Sequence, residues 1–154
     1  MLLLPEMFAT GFTMEAEEYA EPEDGSIARV VAEIAKHEAL WILAGISVRK
    51  SDGRFVNTAR LFSPHGDHNA PYEKQRLFVY ANENEIYSPG EKPSIVEING
   101  VRAGVLICFD LRFPELFREL APEVDAFFLI ANWPQARQAH WDVLTRARSR
   151  ISAT

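Results

Sequence analysis

The chemistry in this chain is concentrated in a few residues that each close a run of apolar sequence. Cys108, the only cysteine among 154 residues, ends the run Ala103–Ile107. Phe113-Pro114-Glu115 follows, with Pro114 placed as the first residue of a helix through Leu120. A thiol between a buried strand and the next helix lies beside unpaired backbone N–H groups, which favour a thiolate and can hold a developing oxyanion. Position alone leaves a plainer reading open, because a lone cysteine at a strand end is usually a small buried hydrophobe. Glu6 directly follows Leu2-Leu3-Leu4-Pro5 and is a candidate proton acceptor, although by itself it would be read as a loop cap. Lys74 stands between Glu73 and Arg76 and would ordinarily be a solvated charge. A thiol, a carboxylate, a cation and a backbone N–H are together the parts of nucleophilic catalysis that passes through an oxyanion.

The elements that must position these residues follow from periodicity. Leu2–Pro5 is expected as a buried strand, and Glu15–Asp24 as an acidic, solvated loop. Ile27, Val30, Val31, Ile34 and Ala35 recur at helical spacing, which predicts a helix to about His37 with Asp24 or Ser26 as its cap. Trp41–Val48 and Phe55–Phe62 read as strands around a turn at Ser51-Asp52-Gly53. A second turn at Pro64-His65-Gly66-Asp67 leaves His65 and His68 at the surface, and Ala70–Phe78 closes this β stretch. Ser94–Ile98 and Val101–Ile107 make a hairpin through Asn99-Gly100, a strong short-range signal. Asp125–Ile130 is a further apolar strand. It ends at Ala131-Asn132-Trp133-Pro134, at a strand's carboxyl end, where α/β sheets place their sites. Gln138–Arg150 reads as a basic helix with Trp141, Leu144 and Ala147 on one face and its arginines solvated or touching further structure. Hairpins alternating with βα units argue a layered α/β sandwich rather than a barrel.

Taken as a unit, Ile-Cys-Phe-Asp-Leu-Arg-Phe-Pro-Glu from Ile107 to Glu115 closely resembles the nucleophile segment of the nitrilase superfamily of carbon–nitrogen hydrolases. Pro5-Glu6-Met7-Phe8 and the residues through Glu15 look like that family's first motif. Tyr72-Glu73-Lys74-Gln75-Arg76-Leu77-Phe78 is similar to its lysine segment, with Arg76 where histidine is usual. Asn82–Gly90 resembles its loop carrying a glutamate ahead of an aromatic residue and Pro-Gly. The resemblance implies a four-layer αββα sandwich. It implies Cys108 as nucleophile, Glu6 as general base, Lys74 as the cation and the Phe109 N–H as an oxyanion donor. Glu83 would support Lys74 or the substrate, with Glu85 a bystander. Arg112 and Trp133 would line the pocket, though Arg112 could equally make a structural ion pair. The Asn132-Trp133 segment, the Glu83 loop and His140-Trp141 look most like the omega-amidase branch. Those enzymes hydrolyse the terminal amide of 2-oxo dicarboxylic acid monoamides such as 2-oxoglutaramate. The resemblance implies no cofactor and a homodimer or higher homo-oligomer.

Composition bounds the alternatives. A net charge of −6 and a pI near 5.2 leave no electrostatic footprint for nucleic acid or an anionic membrane. No apolar run approaches the ~18 residues of a membrane span. One cysteine and four scattered histidines give neither a disulfide framework nor zinc-like spacing, so a metal-free cytoplasmic protein is expected. Residues 1–154 read as a single domain that is incomplete, because no βα unit precedes Leu2 and no strand receives the closing helix. Besides an amidase, the sequence leaves open another branch of the family (nitrilase, carbamoylase or acyltransferase) and a catalytically inactive association module. A thiol redox protein is disfavoured by the lack of a second cysteine.

Overall fold

The computed structural model describes residues 1–68 and 72–151. Ala70 and Pro71 of the expected lysine segment, and the closing Ser152-Ala153-Thr154, lie outside the described residues. In chain order the elements are β1 (Leu2–Leu3), α1 (Ala16–Tyr19), β2 (Glu21–Pro22), α2 (Ser26–His37), β3 (Ile42–Arg49), β4 (Phe55–Phe62) and β5 (Tyr72–Glu73). There follow α3 (Glu83–Ile86), β6 (Ile95–Ile98), β7 (Val101–Ile107), α4 (Pro114–Leu120), β8 (Ala126–Ile130) and α5 (Gln138–Arg148). In the first sheet β3 and β4 pair antiparallel from Ile42↔Phe62 to Arg49↔Phe55. β1 and β2 join β3 in parallel at its two ends, and β5 closes on β4. The second sheet has the order β6-β7-β8, with a hairpin from Ile95↔Gly104 to Ile98↔Val101 and β8 parallel to β7.

Alternation along β3 and β4 divides the core into two. Ile42, Ala44, Ile46 and Val48, with Val56 and Phe62, pack on Ala28, Val31 and Ala35 of α2. Leu43, Ala59 and Leu61 belong to the other cluster, with Val96, Val105 and Ile107 of the second sheet. Leu116 and Phe117 of α4 and Trp141 and Leu144 of α5 complete that cluster, giving the expected four layers, helix, sheet, sheet and helix. The hairpin turn has φ +52° at Asn99 and +82° at Gly100, the left-handed pair that an Asn-Gly turn supplies at little cost.

Two expectations are corrected. Leu2–Pro5 is not a buried strand. Pairing ends at Leu3, and Leu2 and Leu3 are each 42% exposed because β1 is the edge of its sheet with a partner on one side only. Neither Asp24 nor Ser26 caps α2. Gly25 is the cap residue, and Glu21 reaches in from β2 to accept hydrogen bonds from the Ser26 hydroxyl and the Ile27 N–H. The acidic segment therefore holds α1 and β2 as well as loop. Among the described residues no helix is long and apolar enough to cross a membrane.

Candidate active site

Glu6 reaches the inner face of the first sheet because the chain after β1 lies directly on β3. Gly45 permits this: a Cβ there would stand 2.5 Å from both Glu6 Cα and Pro5 O. The contact is fixed by the Phe8 N–H donating to Gly45 O at 3.1 Å and the Gly45 N–H donating to Pro5 O at 3.2 Å. Lys74, one residue past β5, donates its N–H to Asn57 O at 2.8 Å. Its carbonyl accepts the Gly90 N–H at 2.9 Å, which brings the 87–90 loop close. Glu83 opens α3 after Asn82, whose φ of +59° turns the chain inward.

These turns bring three charges together in a dry interior. Lys74 Nζ donates to Glu6 Oε1 at 2.7 Å and to Glu83 Oε2 at 2.8 Å and Oε1 at 3.1 Å. Asn57 Nδ2 donates to Glu6 Oε1 and Glu83 Oε1, each at 2.8 Å, and the Phe78 N–H donates to Glu83 Oε2 at 2.6 Å. Two carboxylates facing one ammonium would leave an excess buried negative charge, and the Asn57 amide and the Phe78 N–H offset it without adding a countercharge. Burial works against the Lys74 ammonium, but the carboxylates of Glu6 and Glu83 outweigh it and hold the lysine above its ordinary range. Glu83, expected as a support for Lys74, touches it directly. Arg76, the departure from the family's histidine, does not disturb this network. Its guanidinium turns to Glu115 at 3.6 Å and the Phe113 ring, while its N–H donates to Asp110.

Cys108 terminates β7 with a φ of +46°, a strained value for a residue with a side chain, and starts a five-residue 3-10 helix, Cys108–Arg112. Asp110 pins this turn. Its carboxylate accepts the Ile107 N–H, the Arg76 N–H and the Tyr72 hydroxyl, each at 2.9 Å, and so ties the thiol's strand to the lysine's segment. Asn132 bridges the same gap through its backbone. Its carbonyl faces Cys108 Sγ at 3.8 Å, and its N–H donates to Glu6 Oε2 at 3.0 Å. The backbone donors that favour a thiolate are opposed at this position. Burial, and then the adjacent Glu6 carboxylate, push the Cys108 thiol well up, and the Lys74 charge does not compensate. The thiol keeps its proton until a base removes it, and the carboxylate that raises its pKa is that base's natural candidate.

Cys108 borders a pocket walled by Phe12, Phe78, Phe109 and Trp133, with Arg112 and Arg137 among its lining residues. Arg112, for which pocket lining and a structural ion pair were both open, is among the residues lining this pocket. Its Nη2 lies 3.0 Å from His140 Nδ1, its guanidinium sits over the Trp133 ring at 5.3 Å, and no carboxylate partners it among the described residues. Asn57, Phe12, Phe78 and Arg137 were not anticipated. The signal for Asn57 was a polar residue at an inward position of β4. Arg137 had no signal apart from the basic run it heads. Among the described residues no three His, Cys, Asp or Glu side chains converge as metal ligands.

Comparisons with known proteins place nearly the whole chain in one family. Residues 1–150 match a family model described as carbon-nitrogen hydrolase. The chain is similar to omega-amidase YafV of Escherichia coli, 36% identical over 149 residues that cover 97% of this chain and 57% of that protein. It is also similar to 2-oxoglutaramate amidase of Bacillus subtilis, 33% identical over 97% of this chain and 58% of that one. Among solved structures, XC1258 of Xanthomonas campestris, a CN-hydrolase superfamily protein with an arsenic adduct in the active site, superposes with a TM-score of 0.91 at 31% identity. That superposition covers 98% of this chain and 59% of the other. The chain thus spans somewhat more than half the length of the relatives it matches.

Proposed function

The chain belongs to the carbon–nitrogen hydrolase family, and from that premise we propose that it hydrolyses a non-peptide amide through a Glu6-Lys74-Cys108 triad, as an omega-amidase acting on 2-oxo dicarboxylic acid monoamides such as 2-oxoglutaramate. The observation that carries the reading is the convergence of Glu6 and Lys74, 68 residues apart, at 2.7 Å, with Asn132 linking Glu6 to the Cys108 thiol. Glu6 accepts the thiol proton as sulfur attacks the amide carbon. The oxyanion is held by the Phe109 N–H and by Lys74, whose 3.1 Å contact to Glu83 Oε1 is the longest of its three and the one that yields. As the C–N bond breaks, Glu6 returns the proton to the leaving ammonia, and a thioester joins the acyl group to Cys108. Glu6 then takes a proton from water, whose oxygen attacks the thioester. Collapse releases the dicarboxylate and restores the thiol. Because the thiol rests protonated, proton removal and attack are coupled, and Glu6 is indispensable.

The test is ammonia release from 2-oxoglutaramate by the chain beside Cys108→Ala. Turnover that vanishes in the variant is expected. Turnover that persists in it, or a folded wild-type chain with none, overturns the proposal. The same reading takes residues 1–154 as one hydrolase domain, cytoplasmic and assembled as a homodimer or a higher homo-oligomer. Sedimentation at twice the 17.4 kDa chain mass is the expected result for the dimer.

A further inference from the structure

Resting on the amidase reading, we infer that Arg137 is a carboxylate subsite, so that this pocket selects amides carrying an anionic group at the end remote from the scissile bond. Among the described residues six of the 16 lysines and arginines, Arg49, Lys50, Arg54, Lys74, Arg76 and Arg102, reach a carboxylate. Arg137 does not. Among the described residues its guanidinium meets only ring faces, Phe78 at 4.9 Å and Tyr80 at 5.8 Å from their centroids. Stacking of this kind orients the planar group and leaves its N–H edge open, the geometry that takes a carboxylate through two parallel hydrogen bonds. No Asp or Glu lines the pocket, so nothing there competes for that edge.

The backbone that carries Arg137 is tied to the wall. The Trp133 indole N–H donates to Arg137 O at 2.9 Å, and the Arg137 N–H donates to Pro134 O at 2.9 Å, closing a short 3-10 turn over Gln135–Arg137. The pocket's other arginine is already engaged by His140 and the Trp133 face. Arg137 is therefore the cation with a free edge and a fixed origin. In a pocket walled largely by aromatic side chains this half-buried cation supplies the polar discrimination, because its N–H edge pairs with a carboxylate and gains nothing from the alkyl end of a neutral amide.

The deciding measurement is the preference, as a ratio of kcat/KM, for 2-oxoglutaramate over the neutral pentanamide in the wild type, Arg137→Gln and Arg137→Lys. Arg137→Gln is expected to lower that ratio about tenfold or more, mainly through KM for the anionic substrate, and Arg137→Lys to restore part of it. An unchanged ratio overturns the inference even if both substrates slow. Calorimetric binding of 2-oxoglutarate, which needs no turnover, separates the two levels of the argument. Weaker binding in Arg137→Gln supports the subsite even if no amide is hydrolysed, in which case the amidase reading alone fails. Equal binding in both chains, or none in the wild type, overturns the subsite.

Discussion

The two sheets supply the site in opposite styles. On the side of the first sheet, Glu6, Asn57, Lys74 and Glu83 are none of them more than 1% exposed, and each is fixed by short hydrogen bonds to the others or to backbone. On the side of the second sheet, Arg112, Trp133 and Arg137 are half-buried and held largely by ring contacts. The contrast follows from what each side must do. A buried charge without partners is costly, so the proton-handling groups are given several partners each. A substrate wall must open to water, where directional networks gain little and stacked cations on aromatic faces hold their shape.

The comparison breaks most visibly at its charged centre. Lys74→Met leaves Glu6 and Glu83 facing each other without a cation and is expected to cost about 3–5 kcal/mol in urea unfolding. A loss below about 1 kcal/mol would mean that water enters the network and that the contrast is overstated.

Asp110, at the seam between the two sides, gives a pH signature. Burial raises its carboxyl to about 6, against the opposing N–H donors of Ile107 and Arg76, from an ordinary value of 3.8. The folded chain then binds a proton that the unfolded chain has released between those values, so this group's contribution is full below about pH 4 and is lost as pH rises through about 6. Its size is at most about 3 kcal/mol, from roughly two units at about 1.36 kcal/mol each. Asp110→Asn removes this titration, so the stability difference between wild type and variant should itself fall, by up to about 3 kcal/mol, across pH 4, 5, 6 and 7. A difference that stays flat with pH would place the titration elsewhere.

Gly45→Ala sharpens the comparison from the backbone side. The added methyl would meet the Pro5-Glu6 backbone at 2.5 Å, so a loss of about 1–3 kcal/mol is expected, together with a fall in ammonia release because Glu6 is displaced. Unchanged activity would show that Glu6 tolerates displacement. Arg112→Gln, on the open wall, is the smallest effect. Its stability should fall by less than about 1 kcal/mol, and a larger loss would make the wall structural rather than receptive.

Much of the frame was legible in the chain itself. The Asn99-Gly100 turn, the strands read at Trp41–Val48 and Phe55–Phe62, and Pro114 at the head of α4 act over a few residues, where local propensity decides. Glu6, Lys74, Glu83 and Cys108 could be named as candidates because each sits in a short, specific run of residues. The tertiary structure alone decided how they meet. Asn57 bridges Glu6 across 51 residues and Glu83 across 26, which depends on sheet register and not on any local signal. The same holds for the close approach at Gly45, the exposed edge at β1 and the protonated Cys108, whose state is set by burial and by the carboxylate brought beside it. Spacing along the chain determined which chemistry was available. Which groups share protons, and which face water, was decided by long-range packing, because desolvation and hydrogen bonding depend on neighbours in space.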